Sequence, residues 1–139
     1  MSVGIGAAGI AGLAIEQLSP PSNFVGVAQA GGALTAGTYK YYITAINALG
    51  ETTVSSEVTV TTAAANLTAH LTWNTVTGAT GFRIYRTAAG GATGTELFLV
   101  AVGLVTTYDD VAVGAPAGAF PTTNTAVTPG TYAAPTKYF

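Results

Sequence analysis

Few residues in the chain are equipped for reaction chemistry or ligand binding, and they fall into three sets. Gly4-Ile5-Gly6-Ala7-Ala8-Gly9 spells GxGxxG, the glycine pattern that brings a dinucleotide pyrophosphate against a helix N-terminus. That site needs a strand before it and an acidic side chain about 20 positions on. Only Met1-Ser2-Val3 precede the motif and no acid lies near that distance, so a nucleotide role is not expected. The same glycines suit close packing against another backbone. Asp109-Asp110, beside Tyr108, is the one adjacent carboxylate pair. Two neighbouring Asp supply too few oxygens for calcium unless Glu96 or backbone carbonyls join them, and a turn in which Asp caps its own backbone is the simpler reading. The third set, Tyr42, Arg83 and Tyr85 with Lys40 and Arg86, is a polar and aromatic group of the kind that binds sugars. It equally suits a dressed sheet surface or a subunit contact, where Tyr and Arg are enriched.

Other chemistry is excluded by what the chain lacks. With no Cys there are no disulfides, no thiolate chemistry and no cysteine-based zinc or iron–sulfur site. The one His, His70, has no Ser/His/Asp grouping or GxSxG motif around it, and the carboxylates show no sign of a desolvating pocket. The expectation is a protein that is not an enzyme and carries no metal and no cofactor. The only cations are Lys40, Arg83, Arg86 and Lys137 against a net charge of −2, which argues against phosphate-driven nucleic-acid binding and against a polybasic membrane anchor.

The elements that would position these residues have a period of two. Thr38 to Asn47 puts Tyr39, Tyr41, Ile43 and Ala45 on one face and Lys40, Tyr42 and Thr44 on the other. Ser56–Thr61 alternates with Val58 and Val60 inward, and Leu67–Trp73 with Leu71 and Trp73 inward and His70 outward. Gly81–Arg86 turns Phe82 and Ile84 inward, and weaker runs cover 97–102 and 105–108. Gly-rich turns separate these runs and no window past residue 20 sustains a helical period, which predicts an all-β, antiparallel sandwich over residues 21–112. The core is expected at Tyr39, Tyr41, Ile43, Val58, Val60, Leu71, Trp73, Phe82 and Ile84.

The ends read differently. Residues 1–20 form an apolar, Gly/Ala-rich arm without Lys or Arg; it lacks the positive start of a secretory signal, and Glu16-Gln17 end the run short of the about 20 apolar residues of a membrane span. Residues 113–139 form a tail punctuated by Pro116, Pro121, Pro129 and Pro135. The arm's Ile5, Ile10, Leu13, Ile15 and Leu18 and the tail's Phe120, Tyr132, Tyr138 and Phe139 have no local core to enter, so they are expected on neighbouring subunits. The composition agrees. Ala, Thr and Gly fill 68 of 139 positions, charged residues are 7% and mean hydropathy is +0.47, so little repulsion opposes association and much of the surface is expected to be covered.

The segment Leu34 to Glu51 resembles the sixth strand of fibronectin type III domains and the turn after it, with Tyr39 at the tyrosine-corner position. Leu71-Thr72-Trp73 followed by Gly81–Tyr85 resembles the second and third strands, with Trp73 in place of the core tryptophan. The order is reversed, Tyr39 before Trp73, as a circular permutation of the sandwich would give. Over roughly residues 21–110 the chain is also similar to Ig-like modules that recur in tailed-bacteriophage structural proteins, on capsid decoration proteins, fibres and tail components. The resemblance implies a virion structural protein, assembled in the host cytoplasm and bound to other virion proteins and to itself as a homo-oligomer. Capsid decoration is the leading role. The alternatives are a receptor- or glycan-binding fibre module using Tyr42, Arg83 and Tyr85, and a tail, neck or filament subunit.

Overall fold

A computed structural model describes residues 15–112 and 114–129. Among them there is no helix, and so none long and apolar enough to cross a membrane. Ten strands occur in chain order: β1 (Ile15–Gln17), β2 (Val25–Gln29), β3 (Gly31–Gly32), β4 (Gly37–Ile46), β5 (Val58–Thr62), β6 (Asn66–Thr72), β7 (Gly81–Arg86), β8 (Leu97–Val102), β9 (Thr107–Asp110) and β10 (Val127–Pro129). The alternating runs expected from sequence coincide with β4 to β8 within two residues at each end.

Two sheets enclose the core. One has the order β5-β4-β7-β8, antiparallel throughout; the other places β6 between β2 and β9, with the two-residue β3 adding a parallel pair at its end. The facing sides carry the residues of one parity: Tyr39, Tyr41, Ile43 and Ala45 from β4, Phe82 and Ile84 from β7, Ala69 and Leu71 from β6, all buried. Trp73 packs edge-on against Phe82 at 5.5 Å and Phe24 at 6.3 Å. Val60 is 2% exposed, whereas Val58 is only partly buried against the core. The sheets approach closely at Gly26, where a Cβ would come within 2.7 Å of Val58 and Val60 and 2.9 Å of Leu71.

After β4 the chain doubles back, and hydroxyls complete the ladder that β5 has not yet joined. Asn47 Oδ1 accepts the N–H groups of Leu49 and Gly50, closing the turn. Thr52 N–H donates to Ala45 O while Thr52 Oγ1 accepts from Ala45 N, and Ser55 forms the same pair of bonds with Ile43. Small hydroxylated residues thus satisfy an edge that backbone alone would leave open.

Both ends of the domain differ from expectation. Leu18, expected at a subunit contact, is 5% exposed within the domain's own core. Residues 114–128, expected as part of an extended tail docked on neighbouring subunits, run back over their own domain. Ala117 N–H donates to Phe98 O and Phe98 N–H to Gly118 O along the outer edge of β8, Thr125 N–H donates to Glu51 O, and Ala126 is fully buried. β10 then pairs antiparallel with β1, Ile15 opposite Pro129. A pairing surface was available within the chain because β8 is an edge strand with unpaired backbone groups. Ile5, Ile10, Leu13, Tyr132, Tyr138, Phe139 and the GxGxxG glycines lie outside the described residues.

Candidate functional site

Strand alternation sends Lys40, Tyr42 and Thr44 from β4, Arg83 and Tyr85 from β7 and Phe98 from β8 to the outer face of the four-stranded sheet. That face is not bare. Phe120, carried back by the returning segment, meets Tyr42 edge-on at 5.1 Å and Tyr85 at 6.3 Å, and Tyr85 also meets Phe98 at 5.8 Å. Phe120 was expected on a neighbouring subunit; an aromatic shelf on its own domain takes it up instead. Tyr85, expected as an accessible sugar-binding residue, is 1% exposed. Tyr42 and Arg83 are half-buried, the Arg83 guanidinium stacked 4.1 Å from the Phe98 ring centre.

A polar knot sits beneath this shelf. Glu51 accepts from the Tyr85 hydroxyl and from Thr44 Oγ1 at 2.6 Å, with Arg83 Nε 3.8 Å away. Burial, then the Glu51 hydrogen bond, pushes the Tyr85 phenol above its ordinary range, so it stays a donor. Next to it, a cleft of about 410 Å³ is bordered by Leu49, Gly50, Glu51, Arg83 and Thr125. Further along the face, the Tyr42 phenol is raised by burial first and by the Glu96 and Glu57 carboxylates after it.

The inner face holds a second polar constellation. Asp110 of β9 accepts both a 2.8 Å and a 3.0 Å bond from Arg86 Nη1, and a 2.7 Å bond from the Tyr41 hydroxyl; Asp110 is fully buried and Arg86 9% exposed. Burial, then Asp110, raises the Tyr41 phenol far above its ordinary range. Arg86, grouped in the outward set from sequence, therefore ties the two sheets together across the core. Its parity with Phe82 and Ile84 carried that signal. Asp109 and Asp110 stand in a strand rather than the expected turn, so their side chains diverge and cannot share a cation. Asp110 does cap a following backbone group, accepting from Ala112 N–H at 3.0 Å. Asp109 instead takes His70, its register partner on the opposite face, at 2.5 Å. No group of three or more metal-ligating side chains occurs among the described residues.

At the pole where β1 and β10 pair, a cleft of about 550 Å³ is bordered by Gln17, Leu18, Pro20, Val76, Gly78 and Thr128. The chain matches no protein-family model and no characterised protein.

Proposed function

We propose that the chain is a non-catalytic structural protein of a bacteriophage virion, a decoration subunit whose apolar ends fasten a rigid β-sandwich to neighbouring capsid subunits. The observation that carries this reading is the β1–β10 pair. Residues 1–14 and 130–139 are joined to Ile15 and Pro129, which are register partners at one pole of the domain. The first of these carries Ile5, Ile10 and Leu13 and the second Tyr132, Tyr138 and Phe139. Two apolar segments joined to adjacent points can engage one neighbour at once, so the second binds at high effective concentration. Each apolar side chain buried in that way contributes roughly 1.5–3 kcal/mol, repeated over every copy of a lattice. At the other extreme, the compact domain would face outward.

A permuted fibronectin III-like sandwich is part of the same proposal. Supporting it, the Tyr39 hydroxyl donates to the carbonyl of Thr35, four residues upstream, as a tyrosine corner does. Trp73 is buried just past the end of β6 in the opposite sheet, and the pairing of Ile15 with Pro129 at the two ends of the described domain makes permutation topologically easy. The fibre-tip alternative has less to rest on, since Tyr85 is buried and Tyr42 lies under Phe120.

Electron microscopy of the particles that carry the chain tests the role directly. Hundreds of copies on a shell, with the β1–β10 pole toward the capsid, are expected. A few copies at a fibre tip, or a pole facing solvent, would overturn the decoration role.

A further inference from the structure

The turn after β4, the outer face of β7 and the returning segment border the cleft of about 410 Å³, and two members of the polar knot, Glu51 and Arg83, line it. Its walls are fixed within the domain. Asn47 Oδ1 accepts from the Leu49 and Gly50 N–H groups at 2.9 and 3.0 Å, and Thr125 Oγ1 accepts from Glu51 N–H at 3.0 Å. Gly50 packs so tightly on the returning segment that a Cβ there would fall 2.2 Å from Thr125 Oγ1. Leu49, 60% exposed, gives the cleft an apolar side.

Glu51 and Arg83 reach the cleft with hydrogen-bonding capacity unused. The Thr44 and Tyr85 hydroxyls both donate to Glu51 Oε2, which holds the carboxylate in place, and among the described residues none donates to Oε1. Arg83 Nε is enclosed 3.8 Å from that same Oε2 without a hydrogen-bond partner, and the guanidinium lies 4.1 Å over the Phe98 ring. Among the described residues nothing accepts from the N–H groups on its two Nη nitrogens. The two charges offset each other, so a phosphate, sulfate or carboxylate ligand would be repelled by Glu51 as it was drawn to Arg83. The pair fits a neutral ligand that accepts and donates within one short span. A trans peptide points its C=O and N–H in opposite directions and cannot serve both groups from one side. Hydroxyls on adjacent carbons of a sugar ring lie side by side, and each both accepts and donates.

We propose that this cleft is a saccharide site, taking one neutral pyranose by two adjacent hydroxyls, with the Arg83 Nη groups donating to them and Glu51 Oε1 accepting from one. Leu49 lies against the C–H groups of the ring, as the apolar walls of small-ligand sites do. Carboxylate and guanidinium are both held before binding, so little side-chain freedom is lost. Tyr42, under Phe120, and the buried Tyr85 touch no sugar in this arrangement; Tyr85 is a positioning residue that acts through Glu51. The site does not depend on what the chain's ends bind.

Titration of the full chain with the methyl glycosides of glucose, mannose, galactose and N-acetylglucosamine, followed by nitrogen NMR, tests it. At least one glycoside should shift the Leu49, Gly50 and Glu51 amides and the Arg83 Nε–H saturably, with a Kd of about 1 mM for so small a contact. Arg83→Met keeps an apolar stem over Phe98 and removes the donors, so it should weaken binding at least about tenfold while the amides of the other strands keep their parent shifts. If Arg83→Met does not fold, Arg83→Lys, which keeps the charge and loses the fork, is read the same way. No saturable shift with any of the four glycosides, or equal affinity in parent and variant, would overturn the site. So would inorganic phosphate moving these amides where no glycoside does, which would assign Arg83 to an anion. N-acetylglycine N-methylamide doing the same would assign the cleft to a peptide and overturn it as well.

Discussion

The two buried acids of this protein, Asp110 and Glu96, have different surroundings. Asp110 is answered by Arg86 and Tyr41, a fixed charge pair crossing the core. Removing one partner leaves the other charge buried and alone, so Asp110→Asn or Arg86→Met should each cost about 3–5 kcal/mol, measured by urea unfolding. The double variant should cost much less than the sum; additive losses would show that the pair is not coupled. Glu96 has Gly94 N–H on one oxygen and no donor on the other, and its burial raises its pKa. Its folded pKa of about 7 stands above the ordinary 4.5, so the folded state holds more protons than the unfolded chain between those values. Its contribution is complete below about 4.5 and is lost as pH rises through about 7. Glu57 works in the opposite sense, its depressed pKa withdrawing stability only as pH falls below the usual carboxylate range. The expected outcome is an unfolding free energy that declines from pH 5 to pH 8 in the parent chain and stays flat over that window in Glu96→Gln.

At the scale of elements, legibility followed side-chain size. β4, β6 and β7 put large apolar groups inward and small or polar ones outward, so their alternation was plain in the sequence. β2 does the reverse. Val25 and Val27 are 46% and 48% exposed, while Gly26 and Ala28 face the core, because Val58 and Val60 of β5 already fill the space above them. No hydrophobic pattern announces a strand whose inner face is glycine and alanine. Gly26→Ala should therefore destabilise by about 1–3 kcal/mol through overpacking, although it is in an extended strand where alanine is conformationally acceptable. A stability equal to the parent in thermal unfolding would mean that β5 moves aside freely. The polar constellations were hidden for a different reason. Asp110 and Arg86 are far apart in sequence and lie on different sheets, and only the pairing of β6 with β9 brings them together.

For the whole molecule, the decisive boundary is between chain that completes the domain and chain that the proposed role assigns to neighbouring subunits. Residues 114–128 belong to the first class: Phe120 roofs Tyr42 and Tyr85, Ala126 is fully buried, and Asn124 Nδ2 and Ala126 O bond the backbone of Leu18. Phe120→Ala should accordingly cost about 2–4 kcal/mol, near the lower range for aromatic truncation because the ring is only half-buried. The apolar residues before 15 and after 129 make the contrast. A chain trimmed to residues 15–129 keeps every contact described above, so its melting temperature should stay within about 3 °C of the parent, equivalent to roughly 1 kcal/mol. A chain ending at residue 121 loses β10, the Thr125–Glu51 bond and the Ala126 plug, and should melt far lower. If the ends are anchors, the 15–129 chain should also fold as a soluble monomer that no longer joins particles. Particles that take up the trimmed chain as readily as the parent would place the binding surface on the sandwich itself. The exposed Val25 and Val27 of edge strand β2 would then be the first residues to change.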